Sequence, residues 1–464
     1  MTDNTNEQLR ELAEWAATVT IDDVPAEVVT QAQWCVLDLL GVTVAASADD
    51  SLQRLIAAER TLDDSQQARV LVHGDRFSVP VAARINAFAA SVTELADNVS
   101  VHANEANIPL ALAHAERHGS TGEDILLAVI IGAEVARRLH DVYYDTKKPA
   151  SEVPIGMTAP LNTLGSAVTA ARLMGASPKT MFDTANVALN LVASALEVSV
   201  MSGSELKPML FSGWATATGY TAATYAANGL TAAADSLHHP QGGWFPAVAT
   251  TWKPEEFTRD LGTRWELQRP DRKRHASCGF SHSALDGVLE LTADVDDVDR
   301  IESIEARLFP FGAQTVGGPA EALTTSTAAK FNLRYLVASA LRSGGVVTID
   351  DTAEATIPER LADPEFVKVM DKVTVLPEPE FGLARRFSAD IRVSVAGEGE
   401  RATVIDYARG KGPNQLTKQE IDDKFVGLAA PVLGDERVAR VRDLVEQLPS
   451  LSSAVPLVDA LIVD

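Results

Sequence analysis

The segment from Arg269 to His282 combines side chains that can hold carboxylates with side chains that can move protons. It contains two histidines, a lysine, several arginines and one of only two cysteines in the chain. Because the chain carries a formal net charge of −24, its overall field repels anions, and a dense cationic cluster would be needed to hold one. Cations stabilise developing negative charge and histidine transfers protons near neutral pH. A solvated basic loop before a helix is the alternative that the local sequence leaves open.

Lys207 and His102 are two further candidates for chemistry. Lys207 lies between Leu206 and Pro208, in a polar break between two Ala-rich apolar segments, where partial desolvation would make its charge matter. His102 lies in a polar loop that leads into an apolar helix, and such loops often carry functional groups. A helix-end lysine in solvent and a loop histidine without a role are the corresponding alternatives.

The spacing of the cysteines and histidines argues against a metal site and against a nucleophilic thiol. Cys278 precedes His282 by one helical turn, but a small buried cysteine is a more common role than an activated pair. His114 and His118 could face one metal, yet a histidine at a helix end is equally explained by the helix dipole. We therefore predict no metal.

Composition limits the class of protein. The chain has 464 residues, of which 46% are hydrophobic and 22% charged, typical of a globular protein with a large core. Its acidity argues against nucleic acid and anionic membranes as partners. Two cysteines, an N-terminus unlike a signal peptide and the lack of a long uncharged apolar stretch predict a cytoplasmic protein.

Hydrophobic periodicity predicts a mainly α fold. Helices follow one another to about residue 270, whereas the later segments 304–309, 373–377, 387–395 and 398–406 resemble strands. The helical period resumes near residue 417. We predict a large all-helical domain, 1–270 plus 410–464, with an inserted smaller α+β lid domain at 271–409.

Several helix boundaries follow from local signals. Capping boxes are expected at Thr5 and Thr121, the second opening a helix that runs to about Leu139. Gly175 and the Asn228-Gly229 pair mark helix ends. The further predicted helices cover 161–174, 213–227, 281–292 and 326–342.

Several segments together resemble the MmgE/PrpD family, which includes 2-methylcitrate dehydratases, cis-aconitate decarboxylases and iminodisuccinate epimerases. The run from Lys273 to Asp286 is similar to the family's Lys-x-x-Pro…His-x-x-x-Asp segment. The other similar segments are 86–98, 108–116, 165–175, the region of Lys207, 329–335 and 412–425.

The resemblance implies a homodimer without metal or cofactor, acting on a small anionic carboxylate in a site between body and lid. It places His102 and Lys207 on family active-site residues and implies that His102, Lys207, Lys273 and His282 converge on one cavity. In this interpretation His102 transfers the proton, His282 orients substrate or shuttles a proton, and Asp97 with Glu94 fixes a histidine tautomer. The expected substrate contacts are Lys273, Arg274, Glu94, Cys278 and Asn98.

The chain also departs from the family pattern. Gly156 stands where the family has a histidine, Ala96 and Ser91 replace an aspartate and a histidine, and Asn98 replaces a threonine. Cys278 occupies the position of another histidine of decarboxylase-like members. We therefore expect a reaction other than 2-methylcitrate dehydration.

Three functions remain open at this point. The first is proton abstraction alpha to a carboxylate with elimination or decarboxylation, on a small di- or tricarboxylate. The second is epimerisation of the iminodisuccinate type, by deprotonation and reprotonation from the opposite face. The third is a non-catalytic helical scaffold in which the similar segments preserve only packing.

Overall fold

A computed structural model describes residues 4–97, 102–192, 196–201, 203–319 and 323–463, and these fold mainly into α-helices, as predicted. The helices are α1 (Thr5–Thr18), α2 (Ala26–Ala45), α3 (Asp50–Glu59), α4 (Val79–Val92), α5 (Ala103–His118), α6 (Gly122–Tyr143), α7 (Thr158–Leu173), α8 (Pro178–Leu191), α9 (Glu197–Met201), α10 (Trp214–Ala227), α11 (Trp244–Val248), α12 (His282–Leu291), α13 (Pro310–Val316), α14 (Ser326–Lys330), α15 (Leu333–Ser343), α16 (Thr356–Leu361), α17 (Pro364–Asp371), α18 (Lys418–Leu433), α19 (Asp435–Glu446) and α20 (Val455–Ala460). The strands are β1 (Ala68–Arg69), β2 (Arg76–Phe77), β3 (Ile301–Leu308), β4 (Val373–Pro377), β5 (Ala389–Val395) and β6 (Gly399–Ile405).

Small residues let the central helices α5, α6, α7 and α10 pack closely. A Cβ atom at Gly219 of α10 would lie 2.6 Å from the backbone nitrogen of Ala167 in α7. Likewise, a Cβ atom at Gly165 would lie 2.9 Å from the carbonyl oxygen of Gly132 in α6. Only glycine permits these separations, so the Ala- and Gly-rich sequence directly sets the helix spacing that positions the site.

Helix α2 is the most apolar long helix of the chain. The stretch Ala26–Ala48 is long enough, and with a mean hydropathy of 1.4 apolar enough, to cross a membrane, but 67% of it is buried within the protein. Asp38 in its middle is fully buried and pairs with Lys424 of α18 at 2.8 Å. A buried ion pair with another helix identifies α2 as a core helix of a folded body.

A four-stranded sheet forms in the C-terminal half, in the order β4-β3-β5-β6. Strand β3 pairs parallel with β4 and antiparallel with β5, with Ile304 opposite Val393 and Ala306 opposite Ile391. Alternate residues of β5 are buried, as the period-2 pattern predicts. One buried cluster unites residues from 278 to 395 around this sheet, whereas the main cluster combines 9–276 with 416–461. We call these parts the sheet region and the body.

Several local predictions need correction. The N-cap of α1 is Asn4, one residue before the cap predicted at Thr5, and the Asn4 side chain makes no capping hydrogen bond. The predicted helix 326–342 is two helices, because the side chain of Asn332 accepts a hydrogen bond from the backbone nitrogen of Tyr335 at 3.1 Å and starts α15 anew. The body also contains the short pair β1–β2, so it is not wholly helical. The capping box at Thr121 is confirmed.

Candidate active site

A cavity of about 150 Å³ lies between the body and the sheet region. Its walls come from Glu94, His102, His140, Tyr144, Lys147, Gly156, Met157, Thr158, Glu197, Lys207 and Phe211 on the body side, and from Cys278, Gly279, Phe280, Phe311, Thr315, Phe331, Arg386 and Phe387 on the other. Aromatic rings and five cationic or imidazole side chains therefore face one small space. That combination suits a small anionic ligand.

Glu94 is shared by two buried lysines. The Nζ atom of Lys207 donates to Oε1 of Glu94, and Nζ of Lys273 donates to Oε2 at 2.8 Å. All three side chains are at most 3% exposed. Although burial alone would raise it, the two ammonium groups hold the pKa of Glu94 well below its usual range. The carboxylate is therefore ionised and keeps both lysines in place.

The backbone at Glu94 adopts an unusual conformation. Just beyond the end of α4, Glu94 has a φ of 55°. A left-handed backbone is uncommon for a non-glycine residue and persists where surrounding contacts enforce it. The side chain of Glu94 is held by the two lysine hydrogen bonds, from Lys207 just before a π-helical turn at 209–213 and from Lys273 in the loop before α12.

His102 is oriented by Glu105. Its Nδ1 atom lies 2.6 Å from Oε1 of Glu105, and Ser212 Oγ donates to Oε2 of the same carboxylate at 2.8 Å. Burial lowers the pKa of His102, although Glu105 opposes that effect, and the pKa of Glu105 is itself held low by the imidazole despite burial. An ionised carboxylate can only accept, so Nδ1 carries the proton and Nε2 is left as a base.

Asp97 does not have the role predicted for it. It is fully buried and accepts a hydrogen bond from Nδ2 of Asn104 at 2.9 Å, and it lies beside the thiol of Cys35. The residue that fixes the tautomer of His102 is Glu105, in the first turn of α5. The spacing of His102 and Glu105, which places both on one side of a helix start, is the signal that could have identified it.

His282 lies outside the cavity wall. Its ring is fully buried and edge-on to His275, with ring centroids 5.3 Å apart, and its Nε2 atom is 3.3 Å from the carbonyl oxygen of Ser277. Burial, with nearby cations, holds its pKa well below the usual value. Of the four residues predicted to converge, His102 and Lys207 line the cavity, and Lys273 contacts the cavity residue Glu94 without lining it. His282 packs beneath the turn that opens α12.

Arg274 is also misplaced by the prediction. Lys273 points inward, whereas the neighbouring Arg274 side chain is 43% exposed and lies 3.7 Å from Asp286. The arginine that reaches the cavity is Arg386, from the sheet region, together with Lys147 after α6. Asn98 lies outside the described residues.

Cys278 lines the cavity as a thiol. Burial raises its pKa, and the nearby carboxylate of Glu94 adds to that effect. The side chain is therefore protonated at neutral pH and is a poor nucleophile. Its position next to Gly279 and Phe280 makes it part of the wall that contacts a ligand.

Two other buried lysines brace the site. Lys330 donates to the carbonyl oxygen of Val92 at 2.8 Å, and Lys411 donates to that of Gly279 at 2.9 Å. Burial lowers the pKa of each to about 8. Each lysine thus links a segment at the cavity to a more distant element. Gly279 lines the cavity, and Val92, at the end of α4, lies two positions before the cavity residue Glu94.

The sequence analysis missed His140 and Tyr144. They line the cavity at the end of α6, where their rings stack with centroids 4.3 Å apart. The predicted helix stopped near Leu139, whereas α6 continues to Tyr143. That extra turn is what brings both rings to the cavity.

Metal ligands do not cluster in the described part of the chain: it has no group of three or more His, Cys, Asp or Glu side chains arranged around a common point. The His114 and His118 rings stack face to face, with centroids 4.4 Å apart. In stacked rings the nitrogen lone pairs lie in roughly parallel planes, so these two imidazoles do not point towards one shared ion.

Residues 10–256 match the sequence profile of the MmgE/PrpD N-terminal domain, and residues 275–449 match that of the MmgE/PrpD C-terminal domain. The chain belongs to the MmgE/PrpD family. A cis-aconitate decarboxylase of Aspergillus terreus is 23% identical over 97% of this chain and 95% of its own length. The cis-aconitate decarboxylase-like protein oryM of Aspergillus oryzae is 24% identical over 94% of each chain.

Two of the positions at which this member departs from the family pattern lie directly at the cavity. Gly156 and Cys278 both line it. Ser91 and Ala96 are fully buried nearby, on α4 and on the loop that follows it. Two of the differences thus change the cavity wall itself, which Glu94, His102 and Lys207 also line.

Proposed function

We propose that this chain abstracts a proton alpha to a carboxylate, or generates the equivalent carbanion by decarboxylation, on a small di- or tricarboxylate. Family membership, together with relatives named as cis-aconitate decarboxylases, makes the chain an enzyme, a lyase or an isomerase of this family. The observation that carries the finer proposal is that the Lys207–Glu94–Lys273 bridge and the His102–Glu105 pair present Lys207, Glu94 and His102 to one cavity.

Each part of that arrangement has a role in carbanion chemistry. Lys207 and Lys273, held in place before substrate arrives, stabilise negative charge that spreads onto the substrate carboxylate. His102, neutral and with Nδ1 bonded to Glu105, offers Nε2 as the base. Lys147 and Arg386 supply the positive charge that a second carboxylate needs at the cavity wall.

Elimination or decarboxylation is the first candidate outcome, because the named relatives are decarboxylases. Epimerisation is the second, because Gly156 removes an imidazole that could protonate a leaving group. The same replacement, with Ala96 and Ser91, is the basis for expecting a reaction other than 2-methylcitrate dehydration. A non-catalytic scaffold is disfavoured because burying this many charges without a function would be costly.

A homodimer without metal or organic cofactor, located in the cytoplasm, is part of the proposal. Several large apolar side chains of the body are exposed, which supports a contact between copies. They are Leu191, Leu196, Val198, Leu206, Trp214, Tyr225 and Leu230. The acidic chain supports neither nucleic acid nor a membrane surface as partner.

The test is a panel of di- and tricarboxylates incubated with the protein in heavy water and followed by NMR. The proposal expects an alkene, carbon dioxide, or exchange with inversion for at least one member, undiminished by a chelator. If no member reacts, the scaffold interpretation is favoured. Efficient conversion of 2-methylcitrate to 2-methylaconitate would contradict the expected change of reaction.

A further inference from the structure

We propose that His140 is a second proton-transfer residue of this site, held in its working tautomer by Asp141. This inference rests on the proposed carbon-acid function and goes beyond the residues that the family resemblance assigns. It concerns the imidazole that this chain places in the cavity that Gly156 also lines.

The first supporting observation is the geometry at the end of α6. The Nδ1 atom of His140 lies 3.1 Å from Oδ1 of Asp141, which also accepts a hydrogen bond from Nε of Arg137 at 2.7 Å. Despite burial, these partners hold the pKa of Asp141 low, so its carboxylate is ionised. It must accept from His140, which leaves Nε2 of the imidazole as the proton-transferring atom.

The second observation is that the arrangement repeats that of His102. Each imidazole lines the cavity, and each has its Nδ1 atom against a buried or half-buried carboxylate. Yet His102 precedes α5 and His140 lies near the end of α6, so the two residues are held by different helices. Two imidazole–carboxylate pairs at one cavity are what a reaction with two proton transfers requires.

The third observation is the fixed placement of the ring. His140 is 5% exposed and stacks on Tyr144 at 4.3 Å, with an interplanar angle of 20°. Gly156 contributes no side chain to the same cavity. We infer that the imidazole of His140, carried by α6, takes the part of the histidine that the family pattern has in the 154–158 segment.

The electrostatic surroundings favour a neutral resting imidazole. Burial lowers the pKa of His140, Asp141 opposes this, and the charges of Arg137 and Arg386 lower it further. A bound dianion or trianion beside the ring would favour the imidazolium form. The imidazole of His140 is therefore neutral in the empty site and takes up a proton from solvent when substrate binds.

The chemical steps balance as follows for elimination and for epimerisation. Nε2 of His102 takes the proton alpha to the carboxylate, and the electron pair of that C–H bond stays on the substrate. In elimination the C–O bond then breaks towards oxygen, and the imidazolium of His140 gives its Nε2 proton to the departing hydroxide, which leaves as water. In epimerisation the same proton goes to the carbon from the opposite face. His102 afterwards gives its proton to solvent, and His140 takes up a new one from solvent when the next substrate binds.

The experiment compares His140→Asn with His102→Asn and with the control His239→Asn, whose side chain is 46% exposed and outside the cavity. Asparagine keeps a donor for Asp141 but transfers no proton. With the carboxylate that the wild-type protein converts, we expect His140→Asn to lower product formation by about 10²–10⁴-fold. Where the substrate has an alpha proton, its exchange with solvent should persist in His140→Asn and be lost in His102→Asn.

Rescue of activity by free imidazole is a second measurement, and it would show no effect if His140 had only a structural role. We expect added imidazole to restore part of the activity of His140→Asn, and His140→Gln serves if the asparagine variant fails to fold. Product formation by folded His140→Asn within about threefold of wild type would overturn this inference alone. If the wild-type protein converts no carboxylate and exchanges no proton, the proposed function fails, and this inference fails with it.

Discussion

The Nδ1 atom of His102 lies 2.6 Å from Oε1 of Glu105, a residue of the first turn of α5. Ser212 holds the other oxygen of that carboxylate from a separate element. The proposed base, the residue that orients it and the hydroxyl that supports that residue are therefore fixed before any ligand binds. Preorganisation of this kind is what converts a common imidazole into an effective base.

Glu105→Gln should lower kcat by about 10²-fold or more while leaving the fold intact. The amide can donate to Nδ1 and thereby stabilise the wrong tautomer, with the proton on Nε2. Steady-state kinetics on the substrate found in the carboxylate panel measures this effect. Glu123→Gln, at an exposed position in the first turn of α6, is the matched control and should leave kcat unchanged. Equal kcat for Glu105→Gln and wild type would remove the role given to Glu105.

Lys207→Ala should reduce kcat by about 10²–10³-fold, the usual loss for a preorganised charge donor. Its effect on stability should be smaller, because Lys273 still neutralises Glu94 at 2.8 Å. Activity and thermal unfolding measured on the same preparation separate the two effects. Lys179→Ala, whose side chain is 76% exposed, should change neither. Near-normal kcat in a folded Lys207→Ala protein would be incompatible with the proposed role.

Stability should fall as the pH drops below about 6.5, the ordinary pKa of histidine. Burial lowers the pKa of His114 to about 4, so between these values the unfolded chain binds more protons than the folded one. The free energy of unfolding therefore rises with pH in that window. Urea unfolding from pH 4 to 7 measures the slope, which His114→Gln should reduce. A slope unchanged by that substitution would show that His114 is not a contributor.

Gly219→Ala should destabilise the body by about 1–3 kcal/mol, because its Cβ atom would lie 2.6 Å from the backbone nitrogen of Ala167. The matched control is Gly427→Ala in α18, where a Cβ atom meets nothing within 4 Å. That change should stabilise by about 0.5–1 kcal/mol, since alanine favours helix. Denaturant unfolding of both variants tests whether close packing between α7 and α10 is real. Equal effects of the two substitutions would argue against it.

The sequence predicts the fold better than it predicts the site. The sequence predicts strand β4 and the alternating burial of β5, because residues that alternate between the two faces of a strand are consecutive in sequence. The domain boundaries at 270/271 and 409/410 stay a prediction; the buried clusters change over between Ala276 and Cys278, and between Val395 and Leu416.

The site residues that were missed share a physical cause. His140 was lost because the predicted end of α6 fell one turn too early, and helix ends depend on tertiary packing. Arg274 was named because it adjoins Lys273 in sequence, although the two side chains point in different directions, and Arg386 was not considered. Two residues that are adjacent in sequence need not face the same way, and only the fold determines which cationic side chain faces the cavity.

The most direct test of the central claim is solvent deuterium at the carbon alpha to a carboxylate. We expect the wild-type protein in heavy water to place deuterium at that carbon, in recovered substrate or in product, as seen by NMR. The His102→Asn variant should place none there, while His239→Asn should behave as the wild type. Epimerised or decarboxylated product without deuterium at that carbon, or incorporation undiminished in folded His102→Asn, would contradict carbon-acid chemistry with His102 as its base.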